Sequence, residues 1–192
     1  MIQTAQLTEM PLAGMYEEKV YEGPHENDIW TWVKFEDEFY NDTYGQFRGK
    51  PIATALSPNN DYCYVLTDIL LYEINRQNPD SYAICDYYSF GGTMRDITLT
   101  PEGILLIASY YQIYTLEKPL CDIEGDVYNV VQSISSTLNG EVDYIQFKYW
   151  DKHLLHIEAV NFYSIEKKVF LTYDAETKML AYVLMPKRED NL

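Results

Sequence analysis

A chain of 192 residues with an apolar fraction of 47% can bury a core without disulfide or metal staples, and its composition excludes general disorder. Thirty acidic residues against fourteen basic ones give a net charge of −16. That field repels phosphate backbones and the anionic inner leaflet of a membrane, so neither nucleic acid nor membrane is expected as a partner. It attracts a basic protein and speeds their encounter.

The first twenty residues lack both a positive start and an apolar stretch, so no signal peptide is expected. Residues 1–28 read as an irregular acidic segment, punctuated by Pro11, Gly14, Gly23 and Pro24 and carrying six acids. A single β-rich domain is expected over 29–186. It opens with Ile29-Trp30-Thr31-Trp32-Val33-Lys34-Phe35, which has strand composition, and runs into Glu36-Asp37-Glu38-Phe39-Tyr40-Asn41-Asp42. Residues 1–42 hold ten acids and two bases, half of the net charge in less than a quarter of the length.

An internal repeat follows. One copy is Leu56-Ser57-Pro58-Asn59-Asn60-Asp61-Tyr62-Cys63-Tyr64-Val65-Leu66-Thr67, then Leu71-Tyr72-Glu73-Ile74. The second is Leu99-Thr100-Pro101-Glu102-Gly103-Ile104-Leu105-Leu106-Ile107-Ala108-Ser109, then Ile113-Tyr114-Thr115-Leu116. The prolines are 43 positions apart and the tyrosines 42. Proline presets the first corner of a turn, and Asn-Asn or Glu-Gly completes it. The continuous apolar run after the turn predicts a strand buried on both faces. A third, weaker copy without the proline spans Phe147–Ile157 and Phe162–Ile165.

Between copies, Val127, Val130, Val131, Ile134 and Leu138 recur at helical spacing, with Asp126 as a cap and Asn139-Gly140 as a stop. The pattern predicts one inserted helix over about 126–138. Val169–Asp174 and Met179–Met185 predict a closing hairpin across Ala175–Lys178, ended by Pro186.

These repeats resemble the blades of β-propeller proteins, which often follow a Ser-Pro-Asp-Gly type of turn with an apolar strand and then an apolar-Tyr-x-apolar strand. The resemblance covers residues 52–117 and, more loosely, 143–166. It implies a mainly β fold, a small or partial propeller of short antiparallel strands. A twisted β-sandwich or an α+β sheet is the alternative.

Catalytic and metal motifs are missing from the sequence: no P-loop, no G-x-G-x-x-G, no G-x-S-x-G, no H-E-x-x-H and no EF-hand loop. Gly91-Gly92 reads as a turn. His153 and His156, three apart on a predicted strand, are expected to face opposite ways. Asp61, Asp68, Asp86, Asp96, Glu102 and Asp122 lie near predicted turns without a calcium-ligand series. Cys63, Cys85 and Cys121 are odd in number and widely spaced, as expected for reduced thiols in a cytoplasm. No metal, cofactor or enzymatic activity is expected.

The most informative candidate site is the acidic-aromatic run. Asp28, Trp30, Trp32, Glu36, Asp37, Glu38, Asp42 and Tyr44 mix aromatic anchors with charges that orient a basic partner. The plainer reading is an amphipathic edge strand with a solvated acidic loop. As a type, a small, acidic, motif-free chain resembles the immunity proteins of bacterial polymorphic-toxin and contact-dependent inhibition systems. That resemblance implies a basic nuclease toxin as partner. The alternative is a ligand-binding or hydrolytic propeller-like enzyme.

Overall fold

A computed structural model describes residues 1–24, 28–86, 93–134 and 142–183. The described chain is mainly β, in four sheets of four strands each. Sheet I holds β1 (Ile2–Thr8), β2 (Glu17–Tyr21), β3 (Trp30–Asp37) and β4 (Asp42–Arg48), in the order β1-β3-β4-β2. Sheet II is a meander of β5 (Pro51–Leu56), β6 (Tyr62–Thr67), β7 (Leu70–Asn75) and β8 (Tyr82–Asp86). Sheet III repeats it with β9 (Met94–Leu99), β10 (Leu105–Ser109), β11 (Ile113–Leu116) and β12 (Gln132–Ser133). Sheet IV is β13 (Val142–Asp151), β14 (Leu154–Asn161), β15 (Ser164–Asp174) and β16 (Met179–Tyr182). All pairings are antiparallel except β2 on β4.

The sheets stack in chain order through three apolar seams, an open, partial propeller-like arrangement. Strand burial explains the sequence patterns. In β6, Cys63 and Val65 enter the seam with sheet I, whereas Tyr64 and Leu66 enter the seam with sheet III. In β10, Leu105 and Ile107 face sheet II, and Leu106 and Ala108 face sheet IV. Sheets II and III are covered on both faces, so their central strands are continuously apolar, as the repeats predict. Terminal sheets bury one face and alternate. Val33 and Phe35 of β3 enter the seam, as do Leu155, Ile157 and Ala159 of β14. At Gly45 of β4, a Cβ would lie 2.6 Å from the Phe47 ring and 2.7 Å from Phe35, so only glycine lets these rings pack.

The two strong repeats have matching turns. Asn60 N donates to Ser57 O (3.1 Å) and Tyr62 N to Ser57 Oγ (2.8 Å). Gly103 N donates to Thr100 O (2.9 Å) and Ile104 N to Thr100 Oγ1 (3.2 Å). Asn60 and Gly103 both sit in the left-handed region, φ 63° and 90°. The third copy turns across Lys152, also left-handed at φ 56°, and forms the β13–β14 hairpin. The closing hairpin forms as β15–β16, with Asp174 Oδ1 accepting from Glu176 N and Thr177 N.

Two expectations need correction. Residues 1–28 are not an irregular segment: they supply β1 and β2. β1 pairs with β3, so strands from both sides of residue 28 share one sheet. β2 was hidden by its charge. Glu17, Glu18 and Lys19 are tolerated on the exposed edge of the sheet, and only Tyr21 enters the core, stacked on Phe47 at 4.5 Å. The inserted helix is also shorter than 126–138. It is one 3-10 turn, Val127–Asn129, with Asp126 capping Tyr128 N at 3.0 Å as expected, and then β12. β-Branched Val127, Val130 and Val131 pay rotamer entropy in a helix, and the open edge of β11 offers hydrogen bonds instead, Tyr114 pairing with Ser133. Residues 135–140, with Leu138, Asn139 and Gly140, lie outside the described residues, as do Gly91, Gly92 and Pro186.

Polar groups tie the seams. Glu73, 1% exposed, accepts from Tyr64 Oη (2.8 Å), Leu120 N (2.7 Å) and Cys121 N (3.0 Å), clamping the 3-10 turn Leu120–Asp122 onto sheet II. Burial, reinforced by Glu73, pushes the Tyr64 phenol well above its ordinary value, so it stays a donor. Buried Arg76 donates from Nε to Ile2 O (2.7 Å) and from Nη1 to Ser57 O (2.9 Å), joining β1 to the first proline turn. Replacing Glu73 by Ala strands two buried donors and one part-buried donor and should lower the urea-unfolding free energy by about 2–4 kcal/mol, with Glu73→Gln losing less because one acceptor oxygen remains.

Candidate partner-binding face

The alternation of β3 sends Trp30, Trp32, Lys34 and Glu36 away from the seam, onto the face of sheet I that no other sheet covers. Register brings the neighbours alongside. Trp32 lies between Thr8 and Gln46, Lys34 beside Tyr44, Glu36 beside Asp42 and Trp30 beside Arg48. Five sequence-predicted residues, Trp30, Trp32, Glu36, Asp42 and Tyr44, therefore share one surface. Asp28 is exposed just before β3 begins.

Asp37 and Glu38 have a different position. They lie at the β3–β4 turn, with their carboxylates already engaged. Asp37 Oδ1 accepts from Phe39 N (2.8 Å) and Asn41 N (2.9 Å), and Oδ2 from Asn41 Nδ2 (2.9 Å). Glu38 pairs with the Met1 ammonium. This turn holds Tyr40 at φ 64° and leaves Phe39 and Tyr40 74% and 83% exposed at its tip. These two acids organise the turn that presents the two rings to solvent.

Sequence reasoning missed the cations set into the face. The Arg48 guanidinium lies 3.8 Å from the Trp30 ring centroid, and Lys34 Nζ is 2.8 Å from Asp42. The Asp42 hydrogen bond raises the Lys34 pKa, so this cation stays charged. It also missed the 9–16 connection, where Met10, Leu12 and Met15 are exposed and Tyr16 packs on Tyr44 at 4.9 Å. The available signal was those apolar side chains inside a turn-rich acidic segment. Of the nineteen exposed large hydrophobic residues described, nine fall in residues 1–44, so exposed apolar surface and negative charge concentrate in the same sheet.

Other candidates disperse. His156 is on β14 and stacks on Tyr149 at 4.5 Å, while His153 is in the preceding turn, its Nδ1 3.8 Å from Glu176. Asp61, Glu102 and Asp122 line a cavity of about 300 Å³ with Glu117 and Lys118, where the two proline turns meet. No group of three His, Cys, Asp or Glu among the described residues could hold a metal. Asp68 accepts from Lys50 N (2.6 Å), and Asp96 from Phe147 N (2.8 Å), both structural ties. All three cysteines are free. Cys63 and Cys85 are buried, which pushes each thiol up to about 12, and Cys121 is exposed. No helix among the described residues is long and apolar enough to cross a membrane.

No family model and no curated protein sequence matches the chain. Among solved structures it is similar to a putative TolB from Agrobacterium tumefaciens, at TM-score 0.49 and 14% identity. The match covers 73% of this chain and 48% of that one, so the chain spans about half of that protein's length.

The tip turn has a testable acid limit. The Asn41 side chain, then the Asn41 and Phe39 amides, hold the Asp37 carboxyl below its ordinary range. A depressed folded value contributes stability above the unfolded value, about 3.9, that disappears as pH falls through the folded value. The Phe39 and Asn41 amide resonances should titrate with a midpoint below about 3.9, and Asp37→Asn should abolish that step. A midpoint at the ordinary value would show that the carboxylate does not hold the turn.

Proposed function

We propose that this chain is a partner-binding protein whose uncovered sheet I face takes a basic protein, and that the partner is a nuclease toxin which the chain neutralises. The observation that carries this reading is the gathering of Trp30, Trp32, Glu36, Asp42 and Tyr44 on one uncovered sheet face. A sheet face with aromatic anchors and acidic neighbours suits the core-and-rim anatomy of a protein interface. Lys34 and Arg48 are each matched within the face, by Asp42 and Trp30. Exposed Glu17 and Glu18 at the β2 edge add to its negative potential. A basic nuclease offers the complementary surface in its phosphate-binding cleft, and an acidic inhibitor seated there excludes substrate.

Affinity capture from the native cell, followed by stopped-flow kinetics with the captured protein, tests this reading. The partner should be basic. Its association rate should fall as salt shortens the screening length to about 8–10 Å. Glu18→Gln with Glu36→Gln should slow association. Trp32→Ala should speed dissociation by about tenfold or more while leaving the melting temperature near that of the parent. An acidic partner, a salt-independent association rate, or a Trp32 variant that melts early yet binds normally would each defeat the proposal.

A further inference from the structure

A second surface differs in chemistry from the first. β9 and β13 run side by side in parallel. Asp96 Oδ2 accepts from Phe147 N at 2.8 Å, and Trp150 Nε1 donates to Thr98 Oγ1 at 3.0 Å. Arg95 therefore lies at the start of these strands, at the opposite end of the stack from the proline turns. It is exposed, and its guanidinium carbon is 4.6 Å from the Tyr110 ring centroid and 5.0 Å from that of Tyr144. The two rings are 5.1 Å apart at 76°.

The backbone is bent to build this arrangement. Asp143 lies opposite Val160 and Gln146 opposite Glu158, so Tyr144 and Ile145 together face one residue across a β-bulge. Tyr144 sits at φ 51°, a left-handed conformation that a bulky side chain rarely adopts. Three contacts hold it there: Asp143 Oδ1 accepting from Tyr144 N (2.8 Å), Tyr110 O accepting from Ile145 N (3.3 Å), and Asp96 gripping Phe147. Such strain persists where a particular side chain must be aimed. Here it places a ring, 46% exposed, beside a guanidinium.

No carboxylate among the described residues lies within ion-pair distance of Arg95. The neighbouring Asp96 is turned to backbone amides. A cavity of about 260 Å³ opens beside Arg95 and Tyr144, walled by Gln146, Ala159 and Val160. Its one carboxylate, Glu158, is engaged by Lys168 at 2.9 Å and Lys148 at 3.7 Å, which leaves Arg95 as the charged group of the lining without an ion-pair partner among the described residues. A second cavity of about 360 Å³ shares Arg95 and Gln146 and extends to Pro51 and Ile52.

We propose that the Arg95–Tyr110–Tyr144 cluster binds a small aromatic carboxylate. Both ligand oxygens meet the guanidinium edge, since rings that flank a guanidinium fix its plane for bidentate contact. The ligand ring stacks on Tyr144 beside Val160, and polar substituents reach Gln146. This site is independent of the sheet I face, so either proposal can fail alone.

Titrating benzoate into the full chain, with the Arg95 Nε–Hε resonance followed by NMR, tests the assignment. The chain has four arginines, so the resonance is resolved and is identified by its loss in Arg95→Lys. The expected result is a saturating shift with a dissociation constant of about 1 mM, the scale for so small a ligand. Benzoate-dependent shifts of the Tyr144 and Ile145 amides should weaken about tenfold in Arg95→Lys, which keeps the charge and loses the fork. Tyr144→Gly relieves the strained backbone, so it should weaken binding several-fold without lowering the melting temperature. Inorganic phosphate should bind more weakly than benzoate. Absence of saturation up to about 20 mM, or equal benzoate affinity in Arg95→Lys, would overturn the site. Phosphate binding that exceeds benzoate and ignores Tyr144→Gly would overturn its assignment to an aromatic carboxylate.

Discussion

A sheet has two faces, and in a stack of four the two inner sheets must find apolar cover for both. That requirement organises the molecule. Tyr64 and Leu66 go one way from β6 while Cys63 and Val65 go the other, and β10 divides its residues in the same manner. Every seam depends on strands that serve two cores at once. The end sheets escape the requirement on one side, and there Trp32 and His156 take positions that apolar residues hold in the middle of the stack.

Apolar seams alone do not fix how neighbouring sheets register, because dispersion and hydrophobic contact are weakly directional. Directional ties supply the register. Glu73 reaches from sheet II to backbone amides beyond β11, Arg76 from sheet II to β1, and Asp96 from sheet III to β13. Each joins consecutive sheets at one point, and each satisfies backbone groups that a seam would otherwise leave unpaired. Open sheet ends and polar ties between sheets are thus two consequences of one architecture.

The uncovered ends also separate the charges. Sheet I gathers acids around exposed aromatic and aliphatic side chains, while the Arg95 guanidinium lies against Tyr144 near the start of β13. Sheets II and III lie between the sheet I face and sheet IV, so the two surfaces are set apart in the stack.

Local pattern determined a good deal. Proline turns at Pro58 and Pro101, apolar strands after them, alternation at Trp30–Phe35 and the 169–182 hairpin are all readable because a strand's period and a turn's φ requirements act over a few residues. The acidic-aromatic run is readable as composition, and alternation alone places Trp30, Trp32 and Glu36 on one side. Tertiary structure decided what needs a distant partner. Glu17–Tyr21 became a strand because β4 offered it an edge, and Val127–Ser133 gave up a helix because β11 did the same. Asp37 and Glu38 turned from surface charges into turn ties once Asn41 and the chain's first ammonium met them. Arg95, unremarkable in sequence, acquired its setting only when a bulge fifty residues away aimed Tyr144 at it. Those outcomes depend on contacts between segments far apart in the chain, and no local window of sequence contains them.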